Sequence, residues 1–288
     1  MVPRAVVRRE ITAAEGRDRS RGLTCSILRA MKIAVCVKVV PDGQLRLDPH
    51  SKRLDRSGEG TLNAFDVNAV EEALKLKESG PDVEEVVIVS VGPERGLEAM
   101  RKALAMGADR VLLVSDEAAA GSDLVATSRV LGAALEREGA ELVLFGQQAG
   151  DSDGAVLWAA VADRLQRPLI SQVAELTREN GKVRGKRQTE YGYDVLDAPL
   201  PAVIAVSDAI NEPRYPSLKG IMGAKKKPQE TLSLADVGVD SGEAGEAGSR
   251  TEVYALGDPP ARGDTVKIED DGSGAEKIVQ FLQEKKAL

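Results

Sequence analysis

The chain is short of the side chains from which metal centres and catalytic triads are built. Its 288 residues include one histidine, His50, and two cysteines, Cys25 and Cys36. A zinc site of histidine and cysteine needs four such ligands, more than this chain can supply alone. Two cysteines allow at most one bridge, so a disulfide framework is excluded and a reducing, cytoplasmic location is expected. Any triad would have to run through His50, which lies in Arg46-Leu47-Asp48-Pro49-His50-Ser51 and reads as a solvated loop residue. Aromatic residues make up only 3%, so each ring is worth placing. No apolar run approaches the ~20 residues needed to cross a bilayer, and no membrane insertion is expected. Neither G-x-G-x-x-G nor G-x-x-x-x-G-K-[ST] occurs, so the two standard phosphate fingerprints are missing. A formal charge of -7 argues against nucleic acid as a partner of the whole chain.

What is present is a strand-and-helix alternation. Residues 1–30 carry seven arginines against three acids and no sustained apolar period, and are read as a disordered extension. Two explanations stand open for them: a start codon upstream of the physiological Met31, or a targeting segment, which Glu10, Glu15 and Asp18 argue against. From Met31 onward, Val, Ile and Leu runs suit strands buried on both faces: Ile33–Val39, Glu85–Val91, Arg110–Val114, Glu141–Phe145 and Pro201–Val206. Between them lie amphipathic helices, one opening at Asn63 with Asp66 placed to reach back to the Asn63 amide as in a capping box. A second starts after Pro93 and stops at Gly107, and a third spans about Ser122 to Glu138. The expected fold is α/β, doubly wound on a mostly parallel sheet. Lys182–Gln188 and Thr189–Leu196 form an antiparallel excursion, and an extended C-terminal arm follows. This α/β domain is expected to span 31–238. Residues 239–288 are a linker, flexible by composition at 240–249, and an arm ending in a helix over Gly274–Lys286. The arm's Ile278, Phe281 and Leu282 stripe must pack on its own domain or on a partner subunit.

Ligands in such folds bind outside the carboxyl ends of the strands. One loop there is Gly146-Gln147-Gln148-Ala149-Gly150-Asp151-Ser152-Asp153-Gly154, leading into a helix over Ala155–Leu165. A glycine-rich turn at a helix start offers amide donors and the positive end of the helix dipole, which suits a phosphate. Asp151 and Asp153 would repel that phosphate unless they cap the helix or face sugar hydroxyls, so contact is assigned to the amides of Gly154, Ala155 and Val156. A plain strand-to-helix turn with capping acids explains the loop equally well. Phe65, at the start of the Asn63 helix, is either core or a ring that contacts a flat cofactor.

The segment 211–227 sets Leu218, Ile221 and Met222 among Arg214, Lys219 and Lys225-Lys226-Lys227, an apolar anchor with a basic collar. Within it, Asn211-Glu212-Pro213-Arg214-Tyr215-Pro216-Ser217-Leu218 and Ile221-Met222-Gly223-Ala224-Lys225-Lys226-Lys227 resemble the signature of the electron transfer flavoprotein beta-subunit family. Val183-Arg184-Gly185-Lys186-Arg187, Ala103–Arg110, Leu200-Pro201-Ala202-Val203, Asn63-Ala64-Phe65 and Ala69–Ala73 match it too. The resemblance covers Met31 to about Asp240.

It implies a heterodimer whose alpha subunit carries most of the FAD site, while this subunit holds a structural AMP and has no catalytic residue of its own. By resemblance, the AMP is lined by Cys36, Asn63, Ala64, Phe65, Asp66, Val91, Phe145, Gly146, Gln147, Gln148, Asp151, Asp153, Gly154, Ala155 and Val156, with Phe65 near the flavin. Leu218 would dock acyl-CoA dehydrogenases and similar flavoprotein dehydrogenases. Arg214 and Tyr215 would shape the loop, with Ile221, Met222, Lys225 and Lys226 beside it. A membrane quinone oxidoreductase is the implied acceptor. The sequence departs from the family's nucleotide loop, reading Asp151-Ser152-Asp153-Gly154-Ala155-Val156-Leu157-Trp158 where polar side chains are usual. Gly43 stands where some members carry a tyrosine. Part of the family binds a second FAD in place of AMP and bifurcates electrons. A standalone nucleotide-binding protein of the stress type shares the architecture and is the reading from outside the family.

Overall fold

The computed structural model describes residues 6–10, 31–80, 82–179, 181–257, 261, 267 and 270–287. The strands are β1 (Val6–Glu10), β2 (Met31–Cys36), β3 (Val39–Pro41), β4 (Leu47–Asp48), β5 (Arg53–Leu54), β6 (Gly60–Leu62), β7 (Val83–Val91), β8 (Arg110–Val114), β9 (Leu142–Gly146), β10 (Leu169–Glu179), β11 (Lys182–Thr189), β12 (Gly192–Pro199), β13 (Ala202–Val206) and β14 (Gln229–Leu232). The helices are α1 (Ala64–Ser79), α2 (Leu97–Met106), α3 (Leu124–Glu138), α4 (Leu157–Arg164), α5 (Leu218–Ala224), α6 (Gly245–Gly248) and α7 (Gly274–Glu284).

Ten strands form one sheet in the order β1-β12-β11-β10-β13-β9-β2-β7-β8-β14. From β10 to β14 every neighbour is parallel, while β10-β11-β12 run antiparallel as the expected excursion. The strands alternate their side chains between two cores, as a sheet covered on both faces requires. Ile33 and Val35 enter one core with Val70 and Leu74 of α1 and Met100 and Leu104 of α2. Ala34 and Cys36 enter the other with Val130 and Leu135 of α3 and Val161 of α4. Helices therefore cover both faces, and the fold is doubly wound α/β. Each fully buried Leu or Ile stabilises this arrangement by ~1.5–3 kcal/mol relative to an exposed one.

Helix ends follow the local chemistry in part. The Asp123 carboxylate accepts from the Ala126 amide at 3.0 Å and starts α3, which stops at Gly139 with φ 68°. The capping box expected at α1 does not form. The Asn63 amide donates to the Lys38 carbonyl at 3.0 Å, and the Asp66 carboxylate accepts from the Lys38 amide at 2.7 Å. Tertiary partners from the end of β2 have replaced the local ones.

Three further expectations are corrected. Helix α4 begins at Leu157 rather than Ala155. Residues 240–249, read as a linker, instead fold as a 3-10 turn (Ser241–Glu243) and α6 docked on the start of α3. There the Ser122 hydroxyl accepts from the Gly245 amide at 2.8 Å, and the Asp123 amide donates to the Ser249 hydroxyl at 2.9 Å. Glycine and small polar residues serve close approach here, since a Cβ on Gly245 (φ +59°) would lie 2.1 Å from the Ala118 carbonyl oxygen. Within the stretch read as disordered, Val6–Glu10 pairs in parallel with β12 as the sheet's edge strand, and the remainder of 1–30 lies outside the described residues.

Residues Met1–Glu252 and Val253–Leu288 form two units. In the second, α7 exposes Ile278, Val279 and Phe281 along one stripe. No helix among the described residues is long and apolar enough to cross a membrane.

Candidate functional site

The parallel strands place the crevice. In chain order β2, β7 and β8 build the sheet outward in one direction, and β9 and β13 build it outward in the other, starting again beside β2. The order reverses between β2 and β9, and ligands of such folds bind outside the carboxyl ends of the strands at that point. The loop after β9 is the glycine-rich stretch singled out from the sequence, and the one after β2 carries Lys38.

Asn63 and Asp66, both buried at the start of α1, tie these loops together. The Asn63 Nδ2 donates to the Gln148 carbonyl at 2.8 Å, and its Oδ1 accepts from the Gly150 amide at 3.0 Å. Asp66 accepts from the Lys38 amide, the Asn63 side chain and the Gly146 amide. Gly146 has no alternative, because a Cβ there would lie 2.5 Å from the Phe65 carbonyl carbon and 2.7 Å from the Asp66 nitrogen. Burial pushes the Asp66 carboxyl up to about 7, against those hydrogen bonds and the Lys38 charge. Burial likewise pushes the Cys36 thiol well above its ordinary range, with Asp66 adding to the effect.

The acids of the loop behave differently from the sequence reading. Asp151 does not cap α4. Its enclosed carboxylate is held by the Lys38 ammonium at 2.7 Å and by the Arg56 guanidinium. Burial alone would raise this carboxyl, but Lys38 and Arg56 outweigh it and hold it below the ordinary range. Arg56 comes from the segment of short hairpins β3/β6 and β4/β5, so the ion pair fastens that strap to the loop. Asp153 adopts φ 48° and accepts from the Gln148 carboxamide at 3.1 Å. The Ala155 and Val156 amides, expected to meet a phosphate, donate to the Asp153 and Gly154 carbonyls at 2.8 and 2.9 Å.

The remaining predicted residues separate into core and surface. Cys36 and Phe145 are core side chains on the α3/α4 face, and Val91 packs against the same core. Phe65 is half-buried and belongs to neither core, while Ala64 is exposed beside it. The indole of Trp158 donates to the Gln147 carbonyl at 3.0 Å and fixes the first turn of the loop. Lys38 and Arg56 were missed by sequence reasoning. Lys38 had a signal, a charged residue near the carboxyl end of the first expected strand, whereas Arg56 had none. His50 is exposed in its turn, as expected.

The segment expected to dock partners forms a short helix. The Ser217 hydroxyl accepts from the Gly220 amide at 3.0 Å and starts α5. Tyr215, Leu218, Ile221 and Met222 are 94%, 75%, 53% and 70% exposed, an apolar cluster its own fold leaves uncovered. Lys225 and Lys226 are exposed beside it. Lys227 turns inward, donating to the carbonyls of Leu104 and Ala108 at 3.0 and 2.5 Å at the end of α2.

The electron transfer flavoprotein domain model matches residues 52–237. The chain is 41% identical over 263 residues to the electron transfer flavoprotein subunit beta of Mycobacterium tuberculosis, covering 89% of this chain and 99% of that relative. It is 37% identical over 266 residues to the electron transfer flavoprotein subunit beta of Megasphaera elsdenii, covering 88% and 97%. It is also 38% identical over 236 residues to the caffeyl-CoA reductase-Etf complex subunit CarD of Acetobacterium woodii, covering 81% and 90%. With a matching family model over most of its length and relatives aligned almost end to end, the chain belongs to the electron transfer flavoprotein family as a beta subunit.

Proposed function

We propose that the chain is the small subunit of a cytoplasmic heterodimer whose alpha subunit holds most of the FAD site, and that it binds AMP in the crevice between β2 and β9. The pair carries electrons from acyl-CoA dehydrogenases and similar flavoprotein dehydrogenases to a membrane quinone oxidoreductase. The observation that carries this reading is the loop 146–156 held by Asn63 at the point where the strand order reverses.

The donor set fits a nucleotide. Gly92 after β7 has no atom within 4 Å of where a Cβ would stand, and Gly150 and Gly154 after β9 have none nearer than 3.7 and 3.9 Å, so the backbone is open to close approach at these positions. The carboxamides of Gln147 and Gln148 add polar contacts. The Asp151 ion pair leaves its carboxylate neutralised beside a phosphate. Phe65 faces the flavin from the start of α1. Bound flavin supplies the electron storage. The chain's own residues bind, enclose and dock, and none serves as acid, base or nucleophile.

The small side chains of Gly154 and Ala155 also favour a second reading, in which a larger FAD replaces AMP. A relative named as part of a caffeyl-CoA reductase-Etf complex supports keeping it. A standalone nucleotide binder would have no use for the exposed cluster on α5. The test is to co-express the chain with its alpha subunit, denature the purified complex and identify the released nucleotides. One FAD and one AMP support the first reading, and two FAD support the second. A colourless homodimer retaining a nucleotide would overturn both.

A further inference from the structure

The exposed cluster lies on the outer side of α5, which packs on α2 through Gly220 and Ala224, and the segment that carries it is fastened at both ends as well. The leading end is fastened to α1. The Arg214 guanidinium is gripped by two carboxylates two turns apart on that helix. Its Nε donates to Glu71 at 2.8 Å and its Nη2 to Glu71 at 3.1 Å, while Nη2 also reaches Glu78 at 2.9 Å. The Arg214 backbone amide donates to Glu71 as well, at 3.1 Å. One turn earlier, Asn211 donates to the Asn68 carbonyl at 3.1 Å and to Glu72 at 3.0 Å, and Asn68 returns a bond to the Asn211 carbonyl at 2.9 Å. The trailing end is fastened to α2 by Lys227.

Glu71 stands out among these groups. Its side chain is only 5% exposed, and among the described residues its hydrogen-bond partners are all on Arg214. A carboxylate is costly to bury without a partner of opposite charge, and a bidentate guanidinium supplies direction as well as charge. The helix that bears Glu71 is the one whose first turn holds the nucleotide loop through Asn63 and Asp66.

We infer that Glu71, assisted by Glu78, is a positioning residue that holds the Arg214-to-Met222 segment in its docking pose and ties that pose to the cofactor crevice through α1. This rests on the reading that Leu218 and its neighbours dock a dehydrogenase. Holding the segment in place before the encounter removes the ordering cost from binding, so losing the hold weakens docking without touching the flavin.

The experiment uses the complete complex with the alpha subunit and a purified acyl-CoA dehydrogenase as electron donor. Glu71→Gln is expected to raise the KM for the complex about tenfold, with kcat, flavin content and reduction by dithionite unchanged. Glu78→Gln, on the exposed side and safe for folding, is expected to raise it about threefold. The double variant Glu71→Gln/Leu218→Ala should be less than additive, because both act on one docking pose. If Leu218→Ala raises KM while neither glutamate variant does, or if the effects add independently, the positioning role is overturned and the docking reading stands. A lowered melting temperature with unchanged KM would make Glu71 merely structural. An unchanged KM for Leu218→Ala would overturn the docking reading, and the inference with it.

Discussion

The Asn63 carboxamide donates to the Gln148 carbonyl and accepts from the Gly150 amide, so one buried side chain at the start of α1 closes both polar groups of a turn that leaves β9. An asparagine is needed because only a carboxamide offers a donor and an acceptor side by side. The same residue's backbone amide is spent on Lys38, at the end of β2. Asn63 is therefore the point where the loops from the first and fourth parallel strands and the first helix meet.

Asn63→Ala would leave the Gln148 carbonyl and the Gly150 amide without this partner, at a cost of ~1–3 kcal/mol for each group that stays dry. The expected result is a lower urea midpoint for the complex and loss during gel filtration of the nucleotide proposed for this subunit. Asn63→Asp should be worse for retention, because it sets a second carboxylate beside Asp66 and turns the donor facing Gln148 into an acceptor. Full nucleotide retention in both variants would remove Asn63 from the site.

Asp66 makes a pH prediction with a definite sign. Its folded carboxyl is pushed up to about 7 from an ordinary value of 3.8. Between those values the folded chain binds a proton that the unfolded chain has released, so this group's contribution favours folding less and less as pH rises from about 4 to 7. Asp66→Asn has no such titration. The stability difference between variant and parent should move in favour of the variant over that window and stay flat above it. Urea denaturation at half-unit steps checks this, and a gap that does not change with pH refutes the raised carboxyl.

The sequence shows the sheet because parallel strands buried on both faces write themselves as Val and Ile runs, and all five of those expected lie within a few residues of their final bounds. The glycine-rich loop was visible because closely approached backbone excludes side chains, as Gly146 against Phe65 and Asp66 illustrates. What stayed hidden depends on contacts distant in sequence. Asp66 looked like a local capping residue, yet it bonds to Lys38, 28 positions away. Arg56 reaches Asp151 across 95 positions and lies in a stretch with no periodicity to mark it. Residues 240–249 have the composition of a linker, but the same small residues allow a tight dock on α3. The lysine triplet read as one basic patch, whereas Lys227 is spent on the carbonyls at the end of α2.

The strap fastened by Arg56 should loosen with salt or with loss of its carboxylate. Lys38 and Arg56 are each about two-fifths exposed while the Asp151 side chain is fully enclosed, so the pair is partly screened. Asp151→Asn leaves two cations facing a neutral carboxamide, and a destabilisation of about 1–3 kcal/mol is expected. Hydrogen exchange of residues 39–62 should rise in this variant, and in the parent chain at 1 M salt. Equal protection in variant and parent would show that the hairpins hold themselves without Asp151.

Two glycines of α5 give a matched pair of opposite outcomes. Gly220 lies against α2 so closely that a Cβ would stand 2.3 Å from the Ala105 carbonyl oxygen, and this contact is with backbone, which cannot swing aside. Gly223, three residues on in the same helix, has nothing within 4 Å of that position. Gly223→Ala should therefore stabilise the helix by about 0.5–1 kcal/mol through its backbone entropy alone. Gly220→Ala should push α5 away from α2 at a cost of ~1–3 kcal/mol, displacing Leu218 and Met222 with it. Melting curves separate the two effects, and the KM for an acyl-CoA dehydrogenase should rise for Gly220→Ala only. If both alanines behave alike, the close packing of α5 on α2 does not set the position of the exposed cluster.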